Sequence, residues 1–461
     1  IIEACAGFDL DASAVSSPAV PNSDVNVTVE ALNRNDEVSV FLQSVSYKTD
    51  KMLTVVKELN LTTNKKENFK QTISIGESPY SDPYWLRNDW SLGMYDVGNL
   101  EMIGKPETPR TVTASFNLII DEVEISIQKN IVRRYSKRDK GELYEPFEVL
   151  PRITTQLKEK VLIFSNDEAK KVIVKVRAGA RNVGGKLSLE VPSNWKVSPD
   201  YISFAIEQKG DDQEFEFLVS PPKNQSEGFL NAVVSVGNKK FTKELIEIDY
   251  EHIPKQSVLL KSKAKIVRLN IQKAGNYIGY IKGAGDAVPE SLKQIGYTVV
   301  TINPEEITKE NLERFDAIVL GIRAYRSVPE LAFKQKDLLE YVKNGGNMIV
   351  QYNKTIRRGG RDLQAPHDLK ISYDRVTDEN APVTILEKNH SLMNFPNKIT
   401  EQDFEGWVQE RGLYFPSQWS KEYTPILSMN DKGENAKRGS LLVTKFGKGN
   451  YIYTGLSFFR E

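Results

Sequence analysis

Cysteine and histidine are nearly absent from this sequence of 461 residues. Cys5 is the only cysteine, so no disulfide can form within the chain, and the three histidines are spread out at His252, His367 and His390. A zinc site needs several such ligands held close together, usually at short sequence spacings. We therefore expect no metal site in this chain.

Net charge is also absent, because 62 Lys and Arg residues balance 62 Asp and Glu residues. No global field favours nucleic acid or an anionic membrane. Local basic runs at Arg133-Arg134 and Arg357-Arg358 are interpreted as solvated loops. No uninterrupted apolar run is long enough to span a bilayer. We expect neither a nucleic-acid partner nor a membrane span.

The length exceeds what a single hydrophobic core serves and predicts about three domains. Residues 1–9 lack the basic and apolar regions of a signal peptide, and they are interpreted as the tail of a preceding domain. The sequence ends directly after a strand-like segment. Both ends therefore predict a piece of a longer protein.

The first half of the chain has the pattern of β-structure. In residues 10–150, Val25, Val27 and Val29 alternate with polar residues, which is the two-residue period of a half-buried strand. Aromatic residues in Pro79–Gly98 interrupt this pattern and predict an insertion. Residues 151–252 repeat the strand signal at the short spacing typical of an immunoglobulin-like sandwich. Residues 253–264 are predicted to be a linker.

Strands and helices alternate from residue 265 to 461. Apolar strands are predicted at Tyr277–Ile281, Asp316–Gly321 and Met348–Val350, with helices at Val288–Ile295, Glu306–Phe315 and Lys336–Asn344. Such alternation predicts a parallel sheet covered on both faces. The expected fold is thus a multidomain chain of two all-β sandwich domains followed by an α/β domain.

The α/β domain resembles the flavodoxin-like fold of class I amidotransferases, including the trehalose-utilisation (ThuA-like) branch. In that resemblance the nucleophile follows the strand Met348–Val350, where this chain has Gln351-Tyr352-Asn353. There is no cysteine there and no Gly-x-Ser-x-Gly elbow. Because glutaminase chemistry needs the thiolate, the domain is predicted to lack that activity.

Polar and aromatic groups concentrate in two places that predict a ligand site. Loops after the parallel strands lie where α/β sheets bind ligands, and the segment Glu405–Phe415 adds donors, acceptors and a stacking ring at Trp407. The same segment equally fits a buried polar network that locks domains together. His390 is either structural or a general base oriented by Glu405 or Glu410. The candidate ligand-binding residues are Gly283, Gly285, Asp286, Arg323, Tyr325, Gln351, Asn353, His390, Glu405, Trp407, Gln409 and Arg411.

Ordered markers along nearly the whole chain resemble the C-terminal region of large secreted PIG-L/LmbE-family deacetylases of the Bacteroidetes type. In addition, Val191–Val197 resembles a turn of α-galactosidase-associated sandwich modules. The family markers are Pro83–Leu86, Lys282–Asp286, Val319–Tyr325, Asn344–Gly346, Asn394–Thr400, Glu405–Phe415 and Tyr453–Ser457.

This resemblance implies a zinc N-deacetylase domain upstream and export to the periplasm or cell surface. The family's His-Pro-Asp-Asp zinc motif is absent from this chain, so no catalytic residue or zinc ligand is carried over, and no cofactor is expected here. The predicted function is a non-catalytic accessory part that binds glycan or positions the deacetylase domain. Two alternatives stay open: a structural or docking subunit that binds outer-membrane or cell-surface proteins, and a hydrolase that uses His390 and Glu405.

Overall fold

The computed structural model describes residues 2–91, 93–354 and 363–457. Most of the regular secondary structure in the described chain is β-sheet, arranged in several separate sheets, as expected for multiple β-sandwich domains. The chain divides into two compact units. Unit 1 comprises residues 1–161, 168–222 and 227–266, and unit 2 comprises residues 162–167, 223–226 and 267–461. The basic pair Arg357-Arg358 lies outside the described residues.

Unit 1 begins with two sheets that enclose one core. Alternating valines put one face of each strand inside, since Val25, Val27 and Val29 are buried while their neighbours are more exposed. The sheets have the strand orders β5-β2-β1-β8-β9 and β4-β3-β6-β7. The elements are α1 (Ile2–Cys5), β1 (Phe8–Ala14), β2 (Asp24–Asn33), β3 (Val40–Lys48), β4 (Met52–Asn60), β5 (Lys66–Ser74), β6 (Thr113–Ile120), β7 (Val123–Asn130), β8 (Val132–Lys137) and β9 (Gly141–Pro146).

The expected aromatic insertion lies between β5 and β6. It contains two short 3₁₀ turns, Tyr84–Leu86 and Leu100–Met102, rather than longer helices or strands. Tyr84 is buried and its hydroxyl donates to the carbonyl oxygen of Lys105 (3.1 Å), so one aromatic residue fixes the base of the insertion.

A second group of strands follows with the same alternation. Val172, Val174 and Val176 of β12 are buried, and Trp195 is buried as well. One sheet has the order β10-β12-β16-β14, and a second contains β21-β17-β13-β15 with β18 beside β17. The strands are β10 (Ile153–Leu157), β11 (Val161–Phe164), β12 (Lys170–Ala178), β13 (Val183–Glu190), β14 (Lys196–Ser198), β15 (Ile202–Ile206), β16 (Asp212–Ser220), β17 (Ser226–Val236), β18 (Lys239–Phe241), β19 (Lys243–Ile248), β20 (Gln256–Lys261) and β21 (Lys263–Arg268).

The prediction of a linker at residues 253–264 is wrong in its local structure. Half of this segment forms β20, which pairs antiparallel with β19 from Gln256↔Ile248 to Lys261↔Lys243, and its last two residues begin β21. Ser257 and Leu259 are buried and alternate with more exposed residues. Pro254 and the flanking lysines are not typical of a strand, so this short alternation was not recognised in the sequence.

Unit 2 contains strands and helices in alternation. Its strands are β22 (Tyr277–Ile281), β23 (Thr298–Thr301), β24 (Ala317–Leu320), β25 (Asn347–Gln351), β26 (Leu369–Val376), β27 (Thr384–Ile385), β28 (Gly412–Trp419), β29 (Thr424–Pro425), β30 (Leu427–Ser428), β31 (Leu441–Phe446) and β32 (Gly449–Thr454). Its helices are α2 (Val288–Gln294), α3 (Lys309–Leu312), α4 (Ala324–Ser327) and α5 (Leu331–Lys343).

The main sheet of unit 2 has the order β23-β22-β24-β25-β32-β31-β29. The pairs from β23 through β32 are parallel, and the hairpin of β31 and β32 adds antiparallel strands at one side. Ile318 and Leu320 of β24 pack with α5, whereas Val319 packs with residues of α2. Helices therefore cover both faces, and the loops after the parallel strands meet at one edge.

Two helices of unit 2 differ in extent from the prediction. The helix expected at Glu306–Phe315 is only α3, because Pro304–Glu306 forms a separate 3₁₀ turn and Thr308 caps the helix by accepting the Asn311 N–H. Helix α5 begins earlier than expected and ends at Lys343, directly before Asn344 and the Gly345-Gly346 stop. None of the helices in the described ranges has the length and apolar character needed to cross a membrane.

Candidate functional site

The loop after β22 is tied to the end of β24 by Asp286. The Asp286 carboxylate accepts hydrogen bonds from the Tyr280 hydroxyl (2.6 Å), the Val288 N–H (3.0 Å) and the Ile322 N–H (3.4 Å). Gly283 allows this approach, because a Cβ there would lie 2.0 Å from the carbonyl oxygen of Ile322. The predicted residues Gly283, Gly285 and Asp286 thus form one loop that is locked to the neighbouring strand.

Gln351 extends this network from the end of β25. Its Nε2 donates to the Tyr280 hydroxyl (3.2 Å), and its side chain is only 1% exposed. Burial, together with the hydrogen bond to Asp286, raises the pKa of Tyr280 far above its ordinary value. The hydroxyl therefore stays protonated and donates a hydrogen bond to Asp286. Gln351 Oε1 is buried and has no hydrogen-bond partner among the described residues.

Arg323 lies in a left-handed backbone conformation three residues after the end of β24, with φ of 55°. Its N–H donates to the carbonyl oxygen of Tyr352 (2.8 Å), and its guanidinium lies 5.6 Å from the centre of the Tyr352 ring. Its Nε is buried without a partner in the described part of the chain. A non-glycine residue held in this conformation is a feature that clusters at functional sites.

Asn353 connects the parallel strands to β28. Its Oδ1 accepts the Tyr325 N–H (3.2 Å), and its own N–H donates to the Tyr453 hydroxyl (3.3 Å). The Tyr453 hydroxyl in turn donates to the carbonyl oxygen of Tyr414 (3.0 Å). The Tyr325 side chain turns away from this edge, because its hydroxyl donates to Gln335 Oε1 (2.7 Å) and its ring packs against the unit 2 core.

A series of tyrosine rings continues outward from Arg323. Tyr352 lies 5.5 Å from Tyr414, and Tyr414 lies 6.1 Å from Tyr373, which is 52% exposed. Tyr414 also has a positive φ, 56°. Sequence reasoning missed Tyr280, Tyr373 and Tyr453. Tyr414, inside the polar and aromatic segment Glu405–Phe415, and Tyr453, the first residue of the family marker Tyr453–Ser457, had a sequence signal, although neither was predicted as a site residue.

The Glu405–Arg411 segment reaches the same sheet edge through its end. The carbonyl oxygen of Arg411 accepts the Ser457 N–H (3.1 Å), and the Leu413 N–H donates to the Gly455 carbonyl oxygen (3.0 Å), just beyond the end of β32. Arg411 itself is 4% exposed, and its guanidinium donates to the carbonyl oxygens of Ala381 (3.0 Å) and Phe404. Its role is therefore structural.

The other members of this segment divide between packing and exposure. Trp407 is half-buried, with its ring 5.8 Å from Phe404 and 5.5 Å from the Arg411 guanidinium. Glu405 and Gln409 are exposed. Trp407 therefore contributes to the packing of this segment.

His390 caps a short turn. Its Nδ1 accepts the Leu392 N–H (3.1 Å) at the start of the 3₁₀ turn Ser391–Met393. No hydrogen bond or ion pair joins His390 to Glu405 or Glu410 in the described ranges, and Glu410 Oε1 instead accepts the Ser457 hydroxyl (3.3 Å). The pairing of His390 with a carboxylate stays a hypothesis.

The side chains described above bring together at this edge the Asp286 carboxylate, the Arg323 guanidinium, the amides of Gln351 and Asn353, and several tyrosine rings. No group of three His, Cys, Asp or Glu side chains suited to a metal ion occurs within the described residues. The donors and acceptors are mixed, which suits a ligand with hydroxyl groups.

Comparison with known proteins finds no matching family model and no matching curated protein. Solved structures that match include a red sea bream transglutaminase, with 10% identity and a TM-score of 0.24, over 58% of this chain and 32% of the other. The native α2-macroglobulin of Escherichia coli matches with 14% identity and a TM-score of 0.19, over 56% of this chain and 17% of the other.

A family 123 glycoside hydrolase from Clostridium perfringens matches with 12% identity and a TM-score of 0.16, over 43% of this chain and 37% of the other. The chain thus spans less than two fifths of the length of each of these proteins. Similarities at such TM-scores carry no argument about fold or function. The PIG-L/LmbE resemblance stays a prediction.

Proposed function

We propose that the chain is a non-catalytic accessory part of a secreted PIG-L-family N-deacetylase-like protein, and that unit 2 binds glycan at the carboxyl edge of its parallel strands. One observation carries the ligand proposal. Gln351 ends β25 and Arg323 lies in the loop after β24, so both lie at this edge, and each has a buried polar atom without a partner among the described residues. A hydroxyl group both donates and accepts, so it satisfies Gln351 Oε1 and accepts from Arg323 Nε.

The strand order supports a flavodoxin-like, amidotransferase-like interpretation of unit 2. Numbered along the chain, the parallel strands β22, β23, β24, β25 and β32 have the order 2-1-3-4-5, which is that of flavodoxin-like sheets. In such sheets ligands bind outside the carboxyl ends of the strands. Gln351 in place of a nucleophile supports binding rather than glutaminase chemistry.

The family resemblance supplies the rest of the proposal. It implies an upstream zinc deacetylase domain as partner, a periplasmic or cell-surface location and an amino sugar among the ligands. The mass of the native protein tests the upstream domain, which should carry a His-Pro-Asp-Asp motif.

Tyr373 offers the sharpest test of glycan binding. Its exposed ring ends the tyrosine series, so Tyr373→Ala should weaken binding to an amino-sugar oligosaccharide by about 1–3 kcal/mol through loss of a stacking face. Isothermal titration of the whole chain against a panel of chitin- and peptidoglycan-derived oligosaccharides measures this.

Tyr277→Ala is the matched control. Tyr277 is 53% exposed, but it begins β22 and so lies at the opposite edge of the same sheet. Equal affinities of Tyr373→Ala and wild type, or an equal loss in both variants, would refute binding at the carboxyl edge.

A further inference from the structure

Unit 1 contains a cleft of about 610 Å³ that is separate from the edge of unit 2. The β1–β2 connection and the segment after β5 form one side of the cleft. The β12–β13 connection and the hairpin of β17 and β18 form the other side. A volume of several hundred Å³ is that of small-molecule sites in proteins.

Apolar groups from both sides form the walls of this cleft. Pro21 and Tyr80 come from the first sandwich, and Val236 and Phe241 come from the second, and all four are half-buried. These walls offer a ligand an apolar or ring-shaped contact surface, because they leave partly exposed apolar area inside a concavity.

The charged side chains that line the cleft are Glu77, Lys239 and Arg152, and the first two pair with each other. The Glu77 carboxylate accepts from Asn22 Nδ2 (2.7 Å) and pairs with Lys239 Nζ (3.3 Å), so these two charges neutralise each other. Both bonds lower the pKa of Glu77, which keeps it ionised. Lys239 and Glu77 also link the two sides of the cleft.

Arg152 is the cation that this pairing leaves over. Among the described residues its guanidinium makes a single long hydrogen bond, from Nη2 to the carbonyl oxygen of Asn182 (3.3 Å). No carboxylate lies within 4.0 Å of Arg152 in the described part of the chain. A guanidinium has five N–H donors in a planar fork that matches a carboxylate with two parallel bonds.

We propose that this cleft binds a small organic monocarboxylate with an apolar or ring-shaped body, held by Arg152 through the carboxylate and by Tyr80 and Phe241 through the body. One unpaired positive charge selects a monoanion over a neutral or dianionic ligand. The site is independent of the glycan proposal, because it lies in unit 1 and uses none of the same residues.

A pair of probes that differ only in charge tests the proposal. Phenylacetate and phenylacetamide have the same ring and nearly the same shape, and ligand-observed NMR titration of the whole chain gives their affinities. We expect phenylacetate to bind at least about tenfold more tightly than phenylacetamide, because the carboxylate–guanidinium pair is a charge-assisted bidentate contact. A tripeptide ending in phenylalanine, compared as carboxylate and amide, distinguishes a chain terminus from a free organic acid.

Arg152→Gln should remove the preference for the carboxylate while the amide still binds. Arg181→Gln is the matched control, since Arg181 is exposed on the neighbouring β12–β13 connection and does not line the cleft. Equal binding of the two probes by the wild type would overturn the proposal. So would a preference that survives in Arg152→Gln, or no binding of either probe up to about 10 mM.

Discussion

Arg411 is a charged residue with almost no contact with solvent, and its guanidinium holds two backbone carbonyl groups in place. Neither carbonyl group belongs to a strand, because Ala381 lies between β26 and β27 and Phe404 ends the 3₁₀ turn Glu401–Phe404. Buried carbonyl oxygens need a donor, and a charged donor makes a stronger bond than a neutral one. Arg411 therefore donates to these carbonyl groups the hydrogen bonds that a neighbouring strand donates within a sheet.

Arg411→Ala should destabilise unit 2 by about 2–4 kcal/mol, because two carbonyl oxygens lose their donor and a cavity remains. Urea unfolding of the whole chain measures the loss. Arg375→Ala is the control, since Arg375 is exposed on β26 of the same unit. If both variants unfold at the same urea concentration as the wild type, Arg411 does not have this role.

At this scale the sequence predicted the location of the polar residues better than their roles. The segment Glu405–Arg411 does reach the edge formed by the loops after β22, β24 and β25, and the buried polar interpretation fits Arg411. Trp407 packs against Phe404, and its role as a stacking face for a ligand stays a prediction. The alternation of residue types indicates where polar and aromatic side chains cluster. It does not indicate which of them face inward, because the backbone conformation decides that.

The strands of the first sandwich are connected by an ion pair as well as by the ladder. Arg134 of β8 reaches across β1 to Glu30 of β2, with Nη1 and Nη2 at 2.9 and 2.8 Å from the two carboxylate oxygens. Lys66 of β5 donates to the same carboxylate (2.7 Å). The hydrogen bonds from Arg134, and then from Lys66, hold the pKa of Glu30 at about 2, against an ordinary value of 4.5.

This depressed pKa makes the stability of unit 1 depend on pH in a definite direction. Because the folded pKa of Glu30 lies below the unfolded value, its contribution is complete above about pH 4.5 and is lost as the pH falls towards about 2. Glu30→Gln should lower the free energy of unfolding by about 1–3 kcal/mol at pH 7, and the difference from wild type should shrink below pH 4.

Thermal melting of the whole chain between pH 7 and pH 2.5 measures this difference. Burial raises the pKa of Asp11, whose carboxylate lies 3.5 Å from Arg134 and also responds to the charge of Glu30. The comparison therefore reports on Glu30 together with its coupling to Asp11 through Arg134. Glu37→Gln, at an exposed position in the same sandwich, should show no such pH-dependent gap. A gap between Glu30→Gln and wild type that stays constant with pH would contradict the role of this ion pair.

Strands with clear alternation could be predicted from the sequence, whereas short elements could not. β2 and β12 are long and place valine at every second position over most of their length, so packing and local pattern agree. β20 follows Pro254 and carries its buried serine and leucine over only six residues, and its pairing with β19 is a tertiary choice. Helix α3 comprises only the four residues that follow its Thr308 cap, so it is too short to show a helical period in the sequence.

For the whole molecule, the sequence predicted that several sheets would be present and that polar loops would meet at one sheet edge. It did not predict the tyrosines that connect these loops. Tyr280 and Tyr453 lie within strands, where apolar and aromatic residues are common. The sequence pattern therefore does not distinguish a tyrosine whose hydroxyl makes hydrogen bonds from one that only packs in the core. Their partners come from loops that are up to a hundred residues away along the chain.

The most direct test of the proposed function is a crystal structure of the chain with the tightest-binding oligosaccharide of the titration panel. We predict a sugar ring against Tyr373 or Tyr414, with hydroxyl groups within about 3.2 Å of Arg323 or of the Gln351–Asn353 segment. An oligosaccharide bound at the opposite sheet edge beside Tyr277, or only in unit 1, would contradict the account.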